Sequence, residues 1–361
     1  MPVVRTVESR GFRNLLDARV QADARIVVAC GPNGAGKTNL LEAVYFGLTG
    51  RSFRAGNDRD VIRFGEQGAR VELELAGGET LLAALDRSGE RRHLLGGRPA
   101  PIEAGERPLV SVFHPDRLAL IKGAPAHRRA HLDRLCGAIW PARADLRSRF
   151  GRTLAQRNAL VSRIKAGLGG AESLASWDER LAAEAEPLMA ARAEAVSALA
   201  QPFAELAERL GLPEAEVSYR PRAAGDAGEL AAELARRRQQ DLGRAYTSYG
   251  PQLDEVEIRL GGRALRRFGS QGQQRLALLA LLFAERRVLL EAGRSGPLML
   301  LDDVMSELDP EHRRLLVELL EQGDGQALVT ATEGAHVPSA SALRLCMSAG
   351  AATLEPVLRA A

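Results

Sequence analysis

A chain of 361 residues with 45% hydrophobic and 26% charged side chains has a globular balance, and its length calls for two or three domains. The longest strictly apolar run, from Leu276 to Ala284, falls far short of the ~18 residues of a membrane span, and the start MPVVRTVESR lacks a secretory h-region. A cytoplasmic protein with no membrane partner is expected. Cys30, Cys136 and Cys346 are too far apart for a metal-ligand motif, their odd count argues against a disulfide framework, and a net charge of +3 permits an acidic partner without requiring one.

In chain order, the segments 3–7, 18–20 and 25–30 read as short strands, the last a continuous apolar run that ends in glycine. V-E-L-E-L at 71–75 alternates apolar and acidic residues and pairs with 81–85 across a Gly77-Gly78 turn. From about 125 to 244 the composition turns to Ala, Leu, Arg and Glu at helical spacing, with breaks expected at 167–170, Pro202, 211–213 and 221–228. Strands at 256–260, 297–301 and 327–331 then alternate with helices at 273–291 and 310–322, which predicts a parallel sheet. The reading is an α/β domain assembled from both ends of the chain (1–124 and 249–361) with a helical lobe inserted at 125–248.

Gly31-Pro32-Asn33-Gly34-Ala35-Gly36-Lys37-Thr38 matches G-x-x-x-x-G-K-[ST] between a candidate strand and a candidate helix that opens with Asn39. The glycines let backbone N–H groups turn toward a phosphate, and the helix adds its positive end. Lys37 would reach the β- and γ-phosphates, and the Thr38 hydroxyl would ligate Mg²⁺. Only Lys37, Lys122 and Lys165 are lysine among 49 basic residues, so a lysine kept in this loop points to a need for a compact ammonium.

The apolar run at 298–301 ends in Asp302 and Asp303. Two acids at the end of a buried strand suit a Mg²⁺–nucleotide site, with Asp302 toward the metal and Asp303 as general base, though either could instead cap a helix. Asp309 before Pro310 reads best as a helix cap. Ser270-Gln-Gly272-Gln273-Gln274 precedes a long apolar helix; it could be a polar cap or, with the Ser270 hydroxyl and Gly272 N–H as donors, a γ-phosphate site. In ABC-type ATPases such an element completes the site of a second subunit, which would make ATP the link in a homodimer.

Taken together, these motifs resemble the RecF family of recombination-mediator ATPases, relatives of the SMC proteins. The likeness runs through R-G-F-R-N-L (10–15), the phosphate loop, G-R-S-F-R (50–54), F-H-P-D-R-L-A-L-I-K-G-A-P-A-H-R-R-A-H-L-D (113–133), S-Q-G-Q-Q-R, L-L-D-D-V-M-S-E-L-D and L-V-T-A-T-E (328–333). The resemblance implies an ABC-type P-loop ATPase head with weak, DNA-stimulated turnover. It also implies a signature motif at Ser270, a D-loop at 306–309 and a switch strand at 330–332. It further implies sequence-independent binding of double-stranded and gapped DNA, RecR- and RecO-type partners, and roles in recombination, replication, repair and the SOS response, with no small-molecule substrate besides ATP. One departure stands out: the family's G-P-H-R-D-D is Gly250-Pro-Gln-Leu-Asp-Glu255 here.

Candidate phosphate-contacting groups are Arg128-Arg129; Arg143, Arg147, Arg149, Arg152 and Arg157; Arg236 to Arg238; and Arg263, Arg266 and Arg267, each open also to the reading of a solvated helix face. With only 4% aromatic residues, backbone contact to a duplex fits better than base stacking. None of the six histidines is assigned to catalysis. A transporter's nucleotide-binding subunit or a scaffold with a structural nucleotide would use the same loop and acids.

Overall fold

The computed structural model describes residues 3–100, 108–223, 225–323 and 325–354. Strand β1 (Val4–Arg10) pairs antiparallel with β2 (Ala18–Gln21), and the buried apolar run β3 (Ile26–Cys30) leads through the glycine loop into helix α1 (Lys37–Thr49). The strands β4 (Gly68–Leu75) and β5 (Thr80–Asp86) form the expected hairpin with Leu73 opposite Leu81, followed by β6 (Arg91–Leu95) and β7 (Arg98–Pro99). These make one antiparallel sheet of order β2-β1-β4-β5-β6-β7. Alternate residues of β4 and β5, among them Val71, Leu73, Leu81 and Ala83, are buried in one cluster with Leu40, Leu41, Val44 and Phe46 of α1. Strand β8 (Val110–Phe113) ends this part of the chain.

The middle of the chain holds α2 (Ala119–Lys122), α3 (Pro125–Ile139), α4 (Leu146–Lys165), α5 (Leu174–Arg209), β9 (Ala215–Arg220), α6 (Ala227–Arg236), α7 (Arg238–Arg244), β10 (Glu255–Leu260), β11 (Arg263–Ala264), α8 (Leu265–Phe268) and α9 (Gln271–Glu291). Two sequence expectations change here. Helix α5 runs 36 residues through Pro187 and Pro202 instead of breaking at the second. A proline removes one i→i−4 bond, but Leu199, Pro202, Phe203, Leu206 and Ala207 are all buried, and that apolar stripe keeps the helix continuous. The supposedly all-helical stretch also contributes β9, which pairs antiparallel with β10 from Ala215–Leu260 to Arg220–Glu255.

The last part returns with β12 (Leu298–Leu301), α10 (Pro310–Gln322), β13 (Ala327–Ala331), β14 (Leu343–Ser348) and β15 (Ala351–Leu354). These join the earlier strands in a second sheet, β15-β14-β3-β13-β12-β8, parallel except for the β14–β15 pair. Every residue of β3, β12 and β13 is buried, as parallel strands covered on both faces require. Register fixes what meets at the carboxyl ends: Cys30 lies opposite Ala331, and Leu301 opposite both Val329 and Phe113.

The chain divides into two compact units, 1–117 with 295–361, and 118–294. The first is built from both chain ends. The second is larger than the expected insertion at 125–248, because β10 and α9 belong with the middle helices through the β9–β10 ladder and the packing of α9 on α5. Among the described residues no helix is long and apolar enough to cross a membrane.

Within the first unit, Gln326 knits the two ends of the chain together. Its buried amide accepts from Val3 N (3.1 Å) and Val4 N (2.8 Å) and donates to the carbonyls of Val4 (2.8 Å), Ala22 (2.6 Å) and Ala24 (3.0 Å). Replacement by leucine removes all five bonds at almost constant volume, and of these groups the Ala22 carbonyl keeps a second donor, Ala24 N. Gln326→Leu should therefore lower stability by on the order of 3 kcal/mol, read as a drop in the urea midpoint at unchanged m-value.

Candidate active site

The site begins where β3 stops. Gly31 has φ +151°, and a Cβ there would lie 2.3 Å from the Met347 carbonyl oxygen, so only glycine lets the chain leave the sheet at this point. Gly36 has φ +106° as the residue capping α1 and faces Asn14 and Leu15 closely. Lys37 Nζ folds back to the carbonyls of Gly31 (2.6 Å) and Pro32 (3.0 Å), and Asn14 Nδ2 donates to Gly34 O at 3.0 Å. Asn39 Nδ2 donates to Asn14 Oδ1, bracing the loop from the helix side. Pro32, Asn33 and Gly34 lie in the turn and face solvent, whereas Ala35 is buried.

Across the sheet edge, Asp302 Oδ1 accepts the hydroxyls of Thr38 (2.8 Å) and Thr330 (2.9 Å), and the same Thr330 oxygen accepts the Asp303 N–H (2.7 Å). Asp302 is buried and its N–H donates to Phe113 O at 2.9 Å. Asp303 is exposed, with φ +49°, a left-handed conformation that costs a non-glycine residue ~1 kcal/mol or more and is concentrated at functional sites. A hydroxyl and a carboxylate oxygen are hard donors suited to Mg²⁺. Among the described residues no cluster of three or more His, Cys, Asp or Glu could hold a metal alone, and Mg²⁺ that shares its shell with phosphate oxygens and waters needs none.

Sequence reasoning missed His114, which directly follows β8. Its Nε2 lies 3.6 Å from Asp302 Oδ2, and its ring packs on Phe53 with centroids 5.3 Å apart. Burial pushes the His114 pKa down, and Asp302 and Asp116, which pull it up, do not fully compensate. A second cluster flanks the loop: buried Glu42 of α1 accepts from Arg13 (2.9 and 2.8 Å), Arg54 (3.0 and 2.8 Å) and Ser52 (2.6 Å), and Arg54 also reaches Asn39. The signal for this cluster lay in R-G-F-R-N and G-R-S-F-R, whose second arginines, Arg13 and Arg54, converge on one carboxylate.

In the second unit, Ser270 caps α9. Its Oγ accepts from Gln273 N (3.2 Å) while the Gln273 side chain accepts from Ser270 N (2.9 Å), a reciprocal capping box. Gly272 faces open space, its nearest neighbour being Ser270 Oγ at 3.9 Å from a built Cβ. Asp309, in the first unit, caps α10 through Glu311 N and His312 N (both 3.0 Å).

Several arginines read as phosphate contacts have other employment. Arg157 is fully buried, bound to Asp178 (2.7 Å), Asp241 (2.8 Å) and Thr247 (2.7 Å), and Arg128 is buried against Glu255 (2.8 and 3.0 Å), so neither can meet DNA. Arg129 donates to Asp254 O (2.8 Å) and Arg238 to Asp178 (2.6 Å), Arg149 forms an ion pair with Glu184 (2.9 Å), and Arg236 and Arg237 share Glu233. Arg147 lies 3.6 Å from Asp133, Arg143 pairs with Glu194, Arg152 contacts Ser148, and Arg266 lies 3.5 Å from Glu255. Arg263 stays exposed, and Arg267 lies over exposed Phe268. The 250–255 departure is absorbed structurally: Gln252 donates to Thr247 O (3.2 Å) and Tyr249 O (3.0 Å). Buried Asp254 accepts from Arg192 (2.9 Å), Tyr219 and Arg222 N (2.9 Å).

Two outcomes test these assignments. Arg157→Leu leaves buried Asp241 without its paired cation and takes one of two from Asp178, so it should cost ~3–5 kcal/mol in urea unfolding and leave the salt dependence of any DNA binding unchanged. Burial raises the Glu42 pKa, but Arg13, Arg54 and Ser52 outweigh it and hold the carboxyl below its ordinary value of 4.5. The stability advantage over Glu42→Gln should therefore be full above that value and shrink as pH falls through the depressed folded pKa, measured by urea unfolding from pH 7 to pH 3.

Residues 6–92 match the family model described as "AAA domain". A relative from Heliobacterium modesticaldum named "DNA replication and repair protein RecF" is 35% identical over 344 residues, 91% of this chain and 92% of its own. One of the same name from Myxococcus xanthus is 37% identical over 347 residues, covering 92% and 91%. The solved structure titled "Structure of the recombination mediator protein RecF-ATP in RecFOR pathway" superposes with a TM-score of 0.86 at 25% identity over 98% of this chain and 97% of the other. An Smc head bound to the C-terminal winged-helix domain of ScpA shares the fold with a TM-score of 0.61 at 18% identity, 98% and 97% covered. With an ABC-type ATPase fold, the loop and acids of a nucleotide site, and near full-length relatives of one name, the chain belongs to the RecF family of ATP-binding DNA repair and recombination proteins.

Proposed function

We propose that this chain is a slow ATPase whose ATP state joins two copies into a clamp on DNA, and whose hydrolysis opens it. The observation that carries the reading is the convergence of Thr38, Asp302, Asp303 and Thr330 on the edge of the parallel sheet beside the glycine loop. Gly31 to Asn39 form the phosphate cradle, with N–H groups of the loop and of the α1 N-terminus as donors. Lys37 swings from the loop carbonyls to the β- and γ-phosphates, and Thr38 with Asp302 holds Mg²⁺, which when bound neutralises charge on the phosphates. Asp303 acts as general base toward water. Ser270, Gly272 and Gln273 of a second copy close over the γ-phosphate and stabilise its developing charge.

DNA contact is sequence-independent and made through phosphates, so duplex and gapped junctions are the ligands and binding falls with salt. Two observations support this reading: the likeness to a recombination mediator of the RecFOR pathway, and Arg263 and Arg267 left exposed just ahead of Ser270. In the cytoplasm, with RecR- and RecO-type mediators, the clamp helps load recombinase at gaps and stalled forks, and DNA stimulates its weak turnover by favouring the closed dimer.

Sedimentation with a gapped duplex, with and without Mg-ATP at two salt concentrations, tests the scheme. Wild type should form a salt-sensitive dimer on DNA only with Mg-ATP. Lys37→Met should lose that dimer, and Asp303→Asn should keep it in ATP while hydrolysis falls ~100-fold or more. A Lys37→Met protein that dimerises like wild type overturns the scheme.

A further inference from the structure

The carboxylate of Asp302 is held unequally. Both hydroxyls, from Thr38 and Thr330, bind one oxygen, Oδ1. Two donors on one oxygen restrain the carboxylate from that side only, and the soft terminal torsion of an aspartate still lets the rigid group rock about its Cβ–Cγ bond, both oxygens moving together. The other oxygen, Oδ2, faces His114 Nε2.

The histidine is built into that place. Its ring is packed on Phe53, which in turn meets Tyr45 edge-on with centroids 5.5 Å apart. Its Nδ1 accepts the backbone N–H of Asp116 at 3.2 Å. A ring nitrogen that accepts carries no hydrogen, so in the neutral ring the hydrogen sits on Nε2, toward Asp302. The separation of 3.6 Å is longer than a hydrogen bond. A small rotation of Asp302 about its Cβ–Cγ bond would bring Oδ2 within hydrogen-bond reach of Nε2. Strand pairing sets this approach: Phe113, the residue before His114, lies opposite Leu301, the residue before Asp302.

We propose that His114 is a positioning residue that donates from Nε2 to Asp302 Oδ2 and so fixes the plane in which Asp302, with Thr38, meets the metal of a bound nucleotide. The inference rests on the Mg²⁺–ATP reading of the site. A ligating carboxylate whose second oxygen is oriented by a neighbouring donor typically loses ~10-fold or more in metal affinity when that donor is removed.

The test is a Mg²⁺ titration of binding of the fluorescent N-methylanthraniloyl-ATP to full-length wild type, His114→Ala and His114→Gln, with thermal midpoints and separate kcat and KM values. Glutamine keeps a side-chain N–H donor on an uncharged group. The Mg²⁺ concentration for half-maximal binding should rise ~10-fold in His114→Ala and stay within about threefold of wild type in His114→Gln. Binding in EDTA should be alike in all three, and the two variants should have similar thermal midpoints. Wild-type Mg²⁺ dependence in His114→Ala overturns the inference. So does a loss that is equal with and without Mg²⁺, or one shared equally by the glutamine variant, since each would mean that the ring only fills space. If wild type itself shows no Mg²⁺-dependent nucleotide binding, the nucleotide reading fails first.

Discussion

One carboxylate oxygen organises the site. Asp302 Oδ1 takes a hydroxyl from the first turn of α1 and another from β13, and its backbone N–H reaches the end of β8. Three strands and the loop helix are thereby referred to a single atom pair at the carboxyl edge of the sheet, where parallel α/β architectures put their ligands. Because Thr330 also accepts from Asp303 N, the same threonine fixes the exposed acid that follows. The left-handed backbone at Asp303 is held from both sides, with Thr330 taking its N–H and Ser306 donating to its carbonyl.

The loop itself is braced from outside. Asn14 holds the Gly34 carbonyl, Asn39 holds Asn14, and Arg54 holds Asn39 while sharing Glu42 with Arg13. A glycine-rich turn gains its shape at a large entropic cost, and this chain of polar contacts confines it before any ligand arrives. Arginine does similar work in the second unit, where Arg157 and Arg192 each cross-link two acids from elements distant in sequence and Arg128 ties α3 to Glu255 of β10. Such buried pairs add little net stability, but losing one partner is costly, so they specify register and mutual placement more than they strengthen the fold.

Local signals were legible where chemistry is local. The glycine loop, the apolar strand before Asp302, the Ser270 and Asp309 caps and the β4–β5 hairpin are each written in a few contiguous residues. What stayed hidden depends on pairing across long separations. β9 sits in an Ala- and Glu-rich stretch and becomes a strand only because β10 lies beside it, and β8 is four residues long, with a polar Ser111 in its middle. His114 was invisible for the same reason: a lone histidine acquires meaning only when the β8–β12 register carries it to Asp302. Arg157 and Arg128 failed as surface charges because nothing in a basic cluster's spacing tells a buried guanidinium from a solvated one. Only the acids that surround them in space decide that.

Ser270 shows why a cap and an anion site need not be alternatives. In the capping box its oxygen accepts from Gln273 N, and Gln273 in turn satisfies Ser270 N. The hydroxyl hydrogen is not used in that exchange, since the oxygen is the acceptor. The box therefore fixes the serine's rotamer while leaving it one donor to give, next to the first N–H groups of a 21-residue helix. Gly272, with open space where a side chain would stand, lets an oxyanion approach those groups closely. The capping that makes α9 start at Gln271 is thus also what preorganises its end for negative charge, with the hydroxyl and the open backbone N–H groups already in place.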